Sequence, residues 1–339
     1  RFGSPIRQDT YHVVTCNTVV AAGPYGFEER AIIRYRMSNV PLLTLSTNNA
    51  SIPQIAFGTG TAWYRGNNES DINQTLVDSI KAALQMGYRH LDAAEVYGTE
   101  KDVGEAIKQY LTESKEQRSS LFVTTKVFVG LGNVQKAADD SLKRLQLDYV
   151  DLYLVHAPFS LKEKFGVTLK EVWQHMEQLL QSGKVKNIGV SNFRLQDVEE
   201  LLSFAKVKPC VNQIEFHPYV NAQSKELLEY CKKNKILIAS YAPLASIIYH
   251  KDGPVDPIIE ELAKKYGKSH VHILLKWNMS KGNVVITTSS KPDRLKSYLT
   301  VGDEDFKLTD DDIRKIDEAG AKLYFRKYWT EEMGGKTSH

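Results

Sequence analysis

Eight short apolar runs recur along this chain, and amphipathic runs separate them. They are QIAFGTG, RHLDAA, LFVTTKV, DLYLVHA, KNIGVSN, VNQIEF, ILIASYAP and VVITTSS. Each is rich in β-branched or aromatic residues and nearly continuous in apolar character, as strands covered on both faces are. Between them, NQTLVDSIKAALQMG, KDVGEAIKQYL, VQKAADDSLKRLQ, LKEVWQHMEQLLQSG, LQDVEELLSFA, SKELLEYCKKN and SHVHILLKWNMSKG carry apolar residues three and four apart. That spacing predicts helices with one buried face. Gly87, Gly183 and Gly282 stand where such helices would end. Eight β/α units predict a closed parallel (β/α)8 TIM barrel of the α/β class, built as a single domain. An open doubly wound sheet is the alternative. No strand is followed by GxGxxG, and GTGTAW has glycines without that spacing, which weighs against it. Further helices are expected at DPIIEELAKKYG and LTDDDIRKIDEAG, the second with Thr309 as its N-cap.

Composition excludes several function classes. The net charge of +3 over 339 residues, with no long Lys/Arg run, gives no footprint for nucleic acid. No stretch approaches the roughly 18 apolar residues of a membrane span. Cys16, Cys210 and Cys231 are too few and too scattered for a disulfide framework or a zinc site, so a reducing, cytoplasmic setting is expected. His270 and His272 stand two apart in a helical pattern and point to different faces, so no metal is expected. Residues 1–36 lack periodicity and read as an N-terminal extension, disordered or a non-native start. The arginines of EERAIIRYR allow a transit peptide, against which Glu28 and Glu29 count. Residues 37–339 form the barrel and its C-terminal tail in this reading.

In a barrel of this kind the active site lies at the C-terminal strand ends. The second strand ends at Asp92, with Tyr97 in the loop; the third carries Lys126; the fourth ends at His156. Singly, each has a plain reading: a turn cap, a solvated rim charge, a satisfied core histidine. Their occurrence on three consecutive strands favours a site. Lys126 is the partner that lets Asp92 remain ionised in a poorly solvated place. A cation beside Tyr97 is expected to lower the phenol pKa, and a phenol so tuned can donate a proton to an oxyanion. His156 can donate a hydrogen bond to the same oxygen. A site that protonates oxygen and has no nucleophile suits hydride transfer to a carbonyl, with the hydride from a cofactor.

These motifs resemble the aldo-keto reductase family. HLDAAEVYG, VTTKV, DLYLVHAP, GKVKNIGVSNF, VNQIEFHPY and SYAPL are similar to the signatures of that family and fall in its order. GTGTAWY, VHAPF and VITTSSKPDRL are similar to the subgroup that reduces α-keto amides, conjugated polyketones and ketopantoyl lactone. The resemblance implies an NADPH-dependent carbonyl reductase with Asp92, Tyr97, Lys126 and His156 as catalytic tetrad and Tyr97 as general acid. Ser191, Asn192 and Gln213 would hold the nicotinamide carboxamide, and Tyr241 would stack on the ring. Gly60 and Thr61 would approach the ribose, and Pro243 and Leu244 the pyrophosphate. Thr288, Ser289, Ser290 and Arg294 would meet the 2′-phosphate. Trp63, Phe159 and Tyr324 would line the substrate pocket, the last within the aromatic tail LYFRKYW.

This chain also departs from the family pattern. Thr288-Ser289 replaces the usual Lys-Ser, Ser297-Tyr298 the usual Glu-Asn, and Ala242 a common serine. Trp63 comes one residue later than the family tryptophan. A regulatory cofactor-binding module of the ion-channel β-subunit type, or a sugar/aldehyde reductase, is the alternative function. The expected partner is a small-molecule carbonyl compound, with no nucleic acid or membrane, and a monomer or weak dimer as the assembly.

Overall fold

A computed structural model describes residues 40–66 and 71–334. The expected extension, residues 1–36, lies outside the described residues. A hairpin comes first, β1 (Leu42–Thr44) against β2 (Ser51–Pro53), antiparallel. The barrel strands come next: β3 (Ile55–Gly58), β4 (His90–Asp92), β5 (Phe122–Val127), β6 (Leu152–Val155), β7 (Ile188–Ser191), β8 (Val211–Glu215), β9 (Leu237–Tyr241) and β10 (Val284–Thr287). All eight pair in parallel and in chain order, and β10 closes the ring on β3. Each lies within one of the eight apolar runs.

Strand alternation sorts side chains between two cores. Phe57, Leu91, Val123, Tyr153 and Val155 point outward and pack under the helices. Ala56, Phe122, Leu152, Leu154, Val211, Ala239, Val284 and Ile286 form the inner cluster, and Leu45 and Ile52 of the hairpin join it. His90 belongs to this inner face: its ring lies 4.8 Å from that of Phe122. Asp92 stands two residues beyond His90 and Lys126 four beyond Phe122, one and two levels further along the same faces. The alternation therefore aims both charges inward at the C-terminal end of the barrel.

The helices form where the periodicity places them. Asn73 caps Gln74–Met86 by accepting from the Leu76 amide, and Gly87 ends it at φ 115°. Thr309 and Asp312 form a reciprocal capping box on Asp310–Gly320. Gly282, expected as the cap of His270–Ser280, falls two residues beyond its end instead, and Lys281 takes the cap position. The hairpin is not anticipated by the sequence patterns, nor is the helix Pro292–Leu299.

Candidate active site

Asp92 ends β4 and Lys126 lies one residue before the end of β5. Nζ of Lys126 is 2.7 Å from Oδ1 of Asp92 and donates also to the Ala93 carbonyl at 2.8 Å. The second oxygen, Oδ2, accepts from Nε2 of Gln213 at 2.8 Å, across the barrel from β8. Asp92 and Lys126 are both buried. The several kcal/mol that desolvating such charges costs is offset by this pairing and by the full hydrogen bonding.

Tyr97 lies in a single turn of 3-10 helix, Glu95–Tyr97, that Gly98 ends at φ 68°. Its loop is held from two sides. The amide of Arg65 donates to the Tyr97 carbonyl at 2.9 Å, while Arg65 itself is ion-paired with buried Asp102. Oε2 of Glu95 accepts from the amides of Phe128 and Gly130 at 2.9 and 3.2 Å, which ties this loop to the one after β5. Gly60 abuts the phenol, and a Cβ there would stand 2.6 Å from its ring, so only glycine admits Tyr97 in this place. The hydroxyl is 3.3 Å from Nζ of Lys126.

His156 comes directly after β6, and its ring stands 5.5 Å from that of Tyr97, edge to face. Its carbonyl accepts from Nδ2 of Asn192 at 2.9 Å. Asn192 also donates to Oγ of Ser191 at 3.1 Å, and its Oδ1 accepts from the Tyr241 hydroxyl at 2.8 Å. Ser191 in turn donates to the Gln213 carbonyl at 2.8 Å. The structure thus brings Asp92, Tyr97, Lys126, His156, Ser191, Asn192, Gln213 and Tyr241 into one hydrogen-bonded and ring-packed cluster.

Burial sets the protonation of this cluster. It lowers His156 well below the imidazole range, with the Lys126 charge acting in the same direction, so the ring is neutral at pH 7. Burial also pulls Lys126 down, and the Asp92 carboxylate pushes back. Tyr97 corrects the expectation of a lowered phenol. Burial, then the charges of Asp92 and Tyr64, hold it well above the usual tyrosine range. The hydroxyl keeps its proton at neutral pH, because desolvation of the tyrosinate outweighs the nearby cation.

The other expected contacts lie around this cluster. Gly60 and Thr61 come after β3 at the rim, and Pro243 and Leu244 after β9. At the end of β10, Oγ1 of Thr288 is shielded from solvent with no partner among the described residues. Ser289 accepts from the Lys291 amide at 3.0 Å and so shapes the entry to Pro292–Leu299. Ser290 and Arg294 are exposed beside it. An unsatisfied hydroxyl, an arginine and a helix start fit an anionic group. The side-chain amides of Asn192 and Gln213 and the ring of Tyr241, gathered at the strand ends, fit a nicotinamide.

Phe159 is buried against Trp329, with ring centroids 5.2 Å apart. Trp63 packs against the core with its indole N–H unpartnered among the described residues. Tyr324 packs on the core too, and its hydroxyl accepts from Nε of Arg326 at 3.2 Å. The tail rings that reach the site are instead Tyr328, 5.7 Å from Tyr241, and Trp329, 5.8 Å from Phe128. Sequence reasoning misses Phe128, although it directly succeeds the VTTKV strand and stands 6.1 Å from His156.

A closed parallel barrel with a buried Lys–Asp pair, a protonated tyrosine and a neutral histidine at its strand ends is the form of a carbonyl oxidoreductase. The chain belongs to the aldo/keto reductase family, whose model matches residues 54–321. It is 41% identical over 286 residues to the NAD/NADP-dependent indole-3-acetaldehyde reductase of Schizosaccharomyces pombe, covering 84% of this chain and 98% of that one. It is 41% identical over 303 residues to the NADPH-dependent alpha-keto amide reductase of Saccharomyces cerevisiae, covering 86% and 95%. Among solved structures, the Bombyx mori aldo-keto reductase in complex with NADP matches with TM-score 0.73 and 33% identity over 83% of this chain and 92% of that one. The chain is therefore an oxidoreductase, an NAD(P)-dependent reductase of aldehydes or ketones. No helix among the described residues is long and apolar enough to cross a membrane.

Proposed function

We propose that this chain reduces activated ketones and aldehydes, α-dicarbonyl compounds above all, with NADPH, and that Tyr97 is the proton donor. The observation that carries the reading is the placement of the Tyr97 hydroxyl 3.3 Å from a buried ammonium and beside the neutral His156 ring. When bound, the nicotinamide supplies a hydride to the carbonyl carbon. Tyr97 gives its proton to the carbonyl oxygen, and the product is the alcohol. Lys126 offsets the negative charge that develops on the phenol oxygen as the proton leaves, and Asp92 keeps Lys126 in place. His156, neutral, donates a hydrogen bond that orients the carbonyl.

Ser191, Asn192 and Gln213 hold the carboxamide, and the ring of Tyr241, fixed through its hydroxyl, supplies the stacking face. Gly60 and Thr61 meet the ribose, Pro243 and Leu244 the pyrophosphate, and Thr288, Ser289, Ser290 and Arg294 the 2′-phosphate. Phe128, Phe159, Tyr328 and Trp329, with Trp63 and Tyr324 further out, form an aromatic wall suited to flat dicarbonyls. The similarity to an alpha-keto amide reductase supports this substrate class. An adjacent carbonyl withdraws electrons and lowers the barrier to hydride addition. The test is kcat/KM with NADPH for isatin and ketopantoyl lactone against glucose and xylose. The dicarbonyls should be the better substrates; the opposite order would move the chain to sugar reduction.

A further inference from the structure

We propose that Glu215 is a positioning residue that clamps the C-terminal tail over the barrel mouth and so sets which carbonyl compounds fit. The proposal rests on the carbonyl-reductase reading above. Glu215 ends β8, two residues beyond Gln213, and is fully buried. A carboxylate there is tolerated only if its oxygens are satisfied. Oε1 accepts from Nε2 of His217 at 3.0 Å and from the Lys327 amide at 2.8 Å. Oε2 accepts from the Tyr328 amide at 2.9 Å, and Nη1 of buried Arg326 lies 3.7 Å away. Three successive tail residues therefore converge on one carboxylate more than a hundred positions earlier in the chain.

Just past the clamp, the tail becomes the pocket wall. Tyr328 is turned onto the Tyr241 ring, and Trp329 is set between Phe128 and Phe159. Trp329 adopts φ 54°, a left-handed conformation that a bulky side chain takes only when its surroundings hold it. A second tether lies a little further on, where Nη1 of Arg194 donates to the Glu332 carbonyl at 3.1 Å. Held at both ends, the aromatic wall is in place before substrate arrives, and the ordering cost of binding falls. Glu215 itself touches neither the Tyr97 hydroxyl nor the Lys126–Asp92 pair.

Glu215→Gln keeps the size of the side chain but turns an N–H toward an amide donor, so one tail contact becomes repulsive. Hydrogen exchange reads the clamp without any turnover: the Lys327 and Tyr328 amides should be protected in the native chain and lose protection in the variant. Losing a charge-assisted contact should raise KM for isatin about tenfold. The kcat value and the NADPH dissociation constant should change by less than about threefold, since Tyr97 is out of reach and Tyr241, on which Tyr328 packs, stays fixed through its hydroxyl bond to Asn192. Trp329→Ala should raise KM similarly, and in its background Glu215→Gln should add little, because coupled residues are non-additive. Unprotected Lys327 and Tyr328 amides in the native chain would overturn the clamp, as would an equal KM penalty in both backgrounds. A native chain with protected amides but no turnover of any carbonyl would overturn the reductase reading and the substrate role of Glu215 with it.

Discussion

Nζ of Lys126 stands 2.7 Å from Oδ1 of Asp92, and their side chains are 0% and 4% exposed. Each charge is the other's main counterion, and the pair has almost no solvent to fall back on. Removing one partner leaves the other buried and uncompensated. Lys126→Met should therefore cost about 3–5 kcal/mol of stability and abolish turnover. Urea unfolding followed by circular dichroism measures the first effect. A loss below about 1 kcal/mol, the range of exposed pairs, would mean that the Lys126–Asp92 pair does not behave as a buried ion pair.

Tyr97→Phe removes the hydroxyl and leaves the ring beside Gly60 and His156. It should lower kcat by about 10²–10⁴-fold, the usual contribution of a general acid. Binding of NADPH, followed by quenching of intrinsic fluorescence, should barely change. Near-native turnover would show that another group delivers the proton.

Arg294 lies in the first turn of Pro292–Leu299, shortly after Thr288, whose hydroxyl has no partner among the described residues. A charge-assisted contact to a phosphate contributes about 1.5–3 kcal/mol. We expect a preference for NADPH over NADH, and Arg294→Ala should raise KM for NADPH about tenfold or more while sparing kcat. The values for NADH should hardly move. Equal weakening of both cofactors would mean that Arg294 does not read the 2′-phosphate.

His90 supplies a pH dependence. Burial lowers its pKa to about 4 from the ordinary 6.5. The unfolded chain then binds more protons than the folded one between these values. The stability it contributes is complete above pH 6.5 and is lost as the pH falls toward 4, by at most about 3 kcal/mol. Its ring nitrogens pair with the Pro53 carbonyl and the Thr124 hydroxyl, at 3.2 and 2.9 Å, so a charged ring would lose an acceptor role. His90→Gln should be less stable overall, with a flatter profile between pH 4 and 6.5 in urea titrations. An unchanged slope in that window would rule His90 out as its source.

The eight barrel strands are legible because buried parallel strands write near-continuous apolar runs. The polar groups at Asp92, Lys126 and His156 are legible because they interrupt those runs at one end. Other features leave no such mark. The hairpin strands are three residues each, too short for alternation to register. Glu215 is not singled out within VNQIEF, since its hydrogen-bonding tail partners are the backbone amides of Lys327 and Tyr328, and every sequence has such amides. The phenol of Tyr97 depends on a contest between burial and a neighbouring cation, which only the folded arrangement decides. Tyr328 and Trp329 stand in the same aromatic tail as Tyr324, and composition does not distinguish the three. Which of those rings turn inward depends on where the tail is pinned.

The β1–β2 hairpin packs Leu45 and Ile52 into the inner cluster at the end of the barrel opposite Asp92 and Lys126. The cylinder is consequently a cup with a stopper: reactant and product share one doorway. If the tail aromatics wall the pocket as proposed, the alcohol leaves through the frame that admitted the ketone, and a tail that grips an incoming ring tightly also slows its exit.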